Sequence, residues 1–261
     1  MPHMTVVLWH IEVSHYNEKA RWALDYKGVP YSARVPMPGL HGLTALRVTR
    51  GKQRRLPVLE LDGTRIGDST AIIAALEEYA PEPPLYPAGD AERRRALALE
   101  DWFDEQLGPE LRRFVWHHTL SDIDVVARTL FEQSGTVRER FLRATAPVAR
   151  FAVRRDYAVN AQSAARARDR VVAAMDKLEA DLQPSGYLVG QGFSVADLTA
   201  AALFTPLVAP PERPFAPPTR VPAVQELRDE LMARPGGRWI EQMYARHRNR
   251  HVTERVDALS H

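Results

Sequence analysis

The feature that most constrains the fold is a change of hydrophobic period near residue 80. Before it, short apolar runs alternate with helical patterns. After it, only helical patterns follow. Pro81, Pro83, Pro84 and Pro87 fall within seven residues at the junction, which is linker composition. On the N-terminal side, Thr5 to Trp9 reads as a strand rich in β-formers, and a helix spans about 15–26, closed by Gly28 and Pro30. Tyr31 to Val35 is a second strand, and 36–55 is loop with room for a short helix. Pro57 to Leu61 and Thr64 to Ile66 flank Asp62-Gly63, a hairpin signal. Asp68 and Ser69 then stand where an N-cap belongs, ahead of a helix carrying Ile72, Leu76 and Tyr79 on one face. The order β-α-β, then β-β-α, calls for a mixed sheet with helices packed on it.

From Ala91 onward no strand is expected. Helical patterns cover about 91–117, 122–145, 147–182, 194–209, 222–233 and 237–249. Seven prolines between Pro206 and Pro222 require an extended surface loop. The chain of 261 residues thus divides into an α+β unit over 1–81, a linker over 82–90 and an all-helical unit over 91–261.

Composition narrows the chemistry. There is no cysteine, which excludes disulfides, thiolate metal sites and any reaction in which the protein supplies a catalytic thiol. A formal net charge of +2 gives no support for nucleic-acid binding. Basic residues are 31 Arg and 4 Lys, a bias that fits a GC-rich genome. No apolar run approaches the roughly 18 residues of a membrane span, and the N-terminus lacks signal-peptide character, so the expectation is a cytoplasmic protein without membrane attachment. His247 and His251 are spaced i, i+4, but no third ligand is in view and no metal is expected.

Ser14 lies just after a strand and at the start of a helix. Backbone N–H groups there are unpaired and the helix dipole favours negative charge. A hydroxyl at that point can donate to a bound thiolate, and such sites lower a thiol pKa from about 8.5 to roughly 3.5–7.5. It can equally be a plain N-cap. Tyr16 and Asn17 are alternative donors to the same thiolate.

Four stretches, Ser14 to Leu24, Leu56-Pro57-Val58-Leu59, Gly67 to Ile72, and Gly192 to Asp197, are in their order and spacing similar to the glutathione transferase superfamily, in a bacterial form with a serine-type turn. The resemblance implies a thioredoxin-like N-terminal domain followed by an all-α helical-bundle C-terminal domain. It implies glutathione as co-substrate, with Ser14 ionising its thiol for attack on a small hydrophobic electrophile. It implies a cis bond at Pro57, with Leu56 meeting the tripeptide through its backbone, and Asp68 and Ser69 holding the γ-glutamyl group. Arg55, or after it Lys52, would meet the glycyl carboxylate. The electrophile would lie against the aromatic helix near 102–118, with Tyr16, Trp116 and His117 as candidate contacts. A homodimer with a role in detoxification is implied by the family alone. The turn departs from glutaredoxin-like relatives, in which the Ser14 position carries Cys, so thiol-disulfide exchange by a protein thiol is excluded. Ser194 and Asp197 fit a capping box, a folding device. Two other readings stand beside the enzyme: a non-catalytic binding or scaffold protein of the same fold, and an enzyme using a different low-molecular-weight thiol.

Overall fold

A computed structural model describes residues 6–37, 40–122, 150–213, 221–248 and 254–255. Strand β1 (Val6–Trp9) pairs in parallel with β2 (Ser32–Arg34), connected by helix α1 (His15–Tyr26). Helix α2 (His41–Val48) then leads to β3 (Val58–Leu61), which runs antiparallel to β1. The hairpin to β4 (Thr64–Gly67) turns on Asp62 and Gly63, whose φ angles of 47° and 82° are the pair of positive values a two-residue turn of this hand needs. Helix α3 (Ser69–Tyr79) closes the unit. Every element expected before residue 80 is present, and Leu56-Pro57 is cis. Glu82-Pro83 is cis as well.

The linker is fastened rather than loose. Lys27 donates to the Ala80 and Pro83 carbonyls and pairs with Glu77, whose carboxylate accepts from the Leu85 and Tyr86 amides.

The helical unit departs from the sequence expectation in four places. The pattern over 91–117 is two helices, α4 (Asp90–Gln106) and α5 (Gly108–Thr119). Pro109 has no N–H for the ladder and starts a new helix, and a Cβ at Gly108 would fall on the Tyr16 hydroxyl. The pattern over 147–182 is also split. Residues 150–156 are helical, Ala158 takes φ 50°, and α6 (Ala161–Asp181) restarts at a capping box made by Asn160 and Ser163. Helix α7 (Val195–Leu203) ends before Pro206 instead of running to 209. Helices α8 (Pro222–Met232) and α9 (Pro235–His247) each begin with proline in the first turn. The expected helix over 122–145 lies, beyond Asp122, outside the described residues, as does 214–220 of the proline-rich loop.

The fourth correction is a strand. Glu254–Arg255 form β5, parallel to β2 at the sheet edge, so the order is β4-β3-β1-β2-β5. Two residues give no periodicity to read, and only an unpaired neighbouring edge makes them a strand.

The two parts share one core. Helix α7, buried along its whole length, packs on α1. Trp22 of α1 lies against Phe193 (5.6 Å) and Tyr244 of α9 (4.2 Å) and donates to the His247 carbonyl. The capping box at Ser194 is formed: Asp197 accepts from the Ser194 amide and hydroxyl and from the Leu188 amide. Burial pushes the Asp197 carboxyl up to about 6.

Candidate functional site

The chain leaves β1 and turns through 10–14 into α1. Four side chains hold that turn. Asn17, fully buried, accepts from the Ile11 amide (2.8 Å) and donates to Ser14 Oγ (2.8 Å) and to the Leu56 carbonyl (3.2 Å). Arg21 donates to the Glu12 carbonyl (2.9 Å) and bonds His10 Nδ1 (2.8 Å). Arg213, from the loop after α7, donates to the Val13 and Thr205 carbonyls (3.0 Å each). Glu18 binds Arg21 (2.8 Å) and Arg248 (2.9 Å), and Arg248 also reaches Asp25. Burial opposes the charge on Glu18, but Arg248, Arg21 and Arg213 together outweigh it and hold the carboxyl down at about 2.

Ser14 is the N-cap of α1, with φ −76° and ψ 128°. Its side chain makes no cap bond; its oxygen instead accepts from Asn17, so its own proton can be donated outward. It is partly exposed. Asn17 is corrected as a thiolate donor, because its amide hydrogens point to Ser14 and Leu56. Tyr16 is corrected likewise: its hydroxyl donates to the Asp104 carbonyl (2.6 Å), and burial, with Asp104 beside it, pushes its pKa up. The Tyr16 ring has His15 (4.6 Å) and the Arg112 guanidinium (5.9 Å) as its neighbours.

The cis-proline strand lies beside this turn, joined through the Asn17 bond to Leu56. Asp68 caps α3, one carboxylate oxygen accepting from the Thr70 (2.9 Å) and Ala71 (3.3 Å) amides. Its φ of 76° is a conformation that costs a non-glycine residue on the order of 1–3 kcal/mol and collects at functional positions. Asp68 is exposed and Ser69 is buried. Gln53 lies against Gly67, where a Cβ would overlap its amide oxygen. Its side chain therefore reaches the residue beside Asp68. Of the basic pair, Arg55 is exposed and acts electrostatically on Tyr16 and Arg112. Lys52 is exposed, and no bond joins it to the turn.

Helix α5 forms the opposite wall. Phe103 and Phe114 belong to the core. Trp116 is half-buried and stands one turn beyond Arg112 on the same face. His117, also half-buried, has His118 as its ring neighbour (4.9 Å) and is not brought to the turn. Sequence reading missed three residues of the wall. Arg112 lies over the rings of Tyr157 (4.3 Å) and Tyr16 (5.9 Å). His15 is buried with Nε2 unpartnered, and burial first, then Arg112 and Arg213, hold its pKa well below the usual imidazole range. No spacing rule pointed to Tyr157 or Arg112, since their meeting is made by the break at 157–160. Among the described residues no group of three His, Asp or Glu is placed to hold a metal ion, and no helix is long and apolar enough to cross a membrane.

Family models described as the N-terminal and C-terminal domains of glutathione S-transferase match residues 8–84 and 141–235. Among curated proteins, the chain is 28% identical over 205 residues to FtsZ-localized protein A of Caulobacter vibrioides, covering 75% of this chain and 74% of that protein. Among solved structures it is similar to a glutathione S-transferase from Rhodospirillum rubrum F11, at 21% identity and TM-score 0.58, over 90% of this chain and 91% of that one. It is also similar to a glutathione S-transferase from Methylobacterium radiotolerans in complex with glutathione sulfonate, at 23% identity and TM-score 0.51, over 97% and 99% of the two chains. These structural likenesses concern the fold.

Proposed function

The chain belongs to the glutathione S-transferase superfamily, and from that premise we propose that it is a glutathione-dependent enzyme of transferase type. The observation that carries the proposal is the orientation of Ser14. Asn17 donates to Ser14 Oγ, which leaves the hydroxyl proton free to be donated to a ligand at the N-terminus of α1. A thiolate placed there accepts that proton's hydrogen bond and lies at the positive end of the helix. Its pKa falls, and at neutral pH it is a nucleophile. Leu56 meets the tripeptide backbone, Asp68 and Ser69 meet the γ-glutamyl group, and Arg55, ahead of Lys52, meets the glycyl carboxylate. The sulfur forms a bond to an electrophilic carbon, the leaving group departs with its electron pair, and the thiol proton passes to solvent. The electrophile rests on α5 near Trp116. The working form is a cytoplasmic homodimer.

Calorimetric titration with glutathione, alongside Ser14→Ala and Asp68→Ala, tests this reading. Binding that Asp68→Ala weakens, with a bound-thiol pKa that Ser14→Ala raises, supports it. An unchanged pH–rate profile in Ser14→Ala removes Ser14 from its role. A second reading, a non-catalytic binding protein, is favoured by the similarity to FtsZ-localized protein A. It gains if millimolar glutathione neither releases heat nor shifts the melting temperature. Competition among thiols tests whether another low-molecular-weight thiol takes the place of glutathione.

A further inference from the structure

Among the described residues the fully buried Lys and Arg side chains have anionic or carbonyl partners, and half-buried Arg112 has none. Arg21, Arg213 and Arg248 each donate at least twice to carboxylates or backbone carbonyls. Arg113, next to Arg112, binds Glu110 and the Tyr157 carbonyl. Among the described residues Arg112 lies over the faces of Tyr157 and Tyr16 with no ion pair, and its Nε has no hydrogen-bond partner. Arg213 Nε has none either, but both of its terminal nitrogens are bonded to carbonyls. Among the described residues the cations acting on Arg112 electrostatically are Arg55 and Arg113. His15, beside it, is held neutral. A buried donor left without a partner costs about 1–3 kcal/mol, more when it is charged. Arg112 is half-buried, and its terminal nitrogens, which make no bond among the described residues, keep the exposure that an acceptor from a ligand needs.

We infer that Arg112 binds the carboxylate of the second substrate, and that this substrate is a small aromatic acid. The guanidinium edge offers two parallel N–H donors, the pattern a carboxylate accepts. Half-buried Trp116, one turn beyond on the same helix face, supplies a ring for the body of such a molecule, while the Tyr157 and Tyr16 rings beneath the guanidinium hold it in place. This inference rests on the proposed transferase reading and adds to it the charge of the electrophile and the residue that selects it.

Two matched probes test it: a chlorodinitrobenzoate and its uncharged carboxamide. With either, the glutathione sulfur bonds the chlorine-bearing carbon, chloride leaves with the C–Cl electrons, and the thiol proton goes to solvent. The wild-type protein is expected to favour the acid in kcat/KM by about tenfold to a hundredfold. Arg112→Gln is expected to erase that preference through KM, leaving the amide within about twofold and glutathione affinity unchanged. Equal use of acid and amide by the wild type overturns the inference, and needs no variant. So does a loss of glutathione affinity in Arg112→Gln, which would assign the guanidinium to the tripeptide. If neither electrophile turns over, the transferase reading fails by itself. Calorimetry with unreactive dinitrobenzoate and dinitrobenzamide then decides: acid preference that Arg112→Gln removes sustains the carboxylate site, and its absence overturns it.

Discussion

Lys19 and Arg112 are both cations set into the seam between the sheet-bearing part and the helices, and they are treated in opposite ways. Lys19, on α1, is fully buried, forms an ion pair with Glu100 (2.7 Å) of α4, and donates to Asp104 of α4 and to Thr70 Oγ1 (2.9 Å) of α3. Arg112, on α5, faces two rings and other cations. A saturated cation joins three helices. An unsaturated one beside an accessible turn is available to a ligand. The contrast separates the part of the seam that holds the molecule together from the part that meets substrate.

Removing each cation tests the contrast most severely. Lys19→Met leaves Glu100 and Asp104 facing each other without compensation, and a loss of about 3–5 kcal/mol is expected in denaturant unfolding. Arg112→Gln takes away a charge that has no partner, and the change is expected to stay within about 1 kcal/mol. Similar losses in the two variants would break the distinction.

The Glu18 cluster sharpens it on the paired side. Its folded pKa is depressed, so its contribution is complete above the ordinary glutamate value near about 4.3 and is lost as pH falls toward about 2. Glu18→Gln is expected to cost about 3 kcal/mol at neutral pH and to flatten the stability profile between those two values, followed by unfolding at a series of pH values. An acid limb identical to the wild type would remove Glu18 from that account. The smallest effect is expected at Ser194→Ala: about 1 kcal/mol of stability, with activity per folded molecule unchanged. A loss of activity at unchanged stability would show that this capping box does more than fold α7.

The sheet-bearing part was legible because each of its elements is announced locally. Gly28 and Pro30 end α1, Asp62-Gly63 turns the hairpin, and Asp68 caps α3. The helical part was legible in kind but not in its breaks, since an apolar period continues through Leu107 where Pro109 and the Tyr16 hydroxyl divide α4 from α5. Within the candidate site, Ser14 and Asp68 could be named from their neighbours in sequence, whereas the cis bond before Pro57 came from the family resemblance alone. Arg213, Arg112 and Tyr157 could not be named, because each acts on a residue far away along the chain, and Asn17 could be named but not given its role, which rests on the atoms it turns toward.

The sequence by itself determined the two-part architecture and the absence of a protein thiol, because period, turn residues and composition are local or summed properties; the family was legible through the resemblance of four motif stretches. Tertiary structure alone decided which hydroxyl stays available at the turn, which buried cations are paired, and that residues 254–255 return to the sheet edge. Those outcomes depend on distances between groups that the chain brings together only when the shared core closes, and a linear pattern carries no such distances.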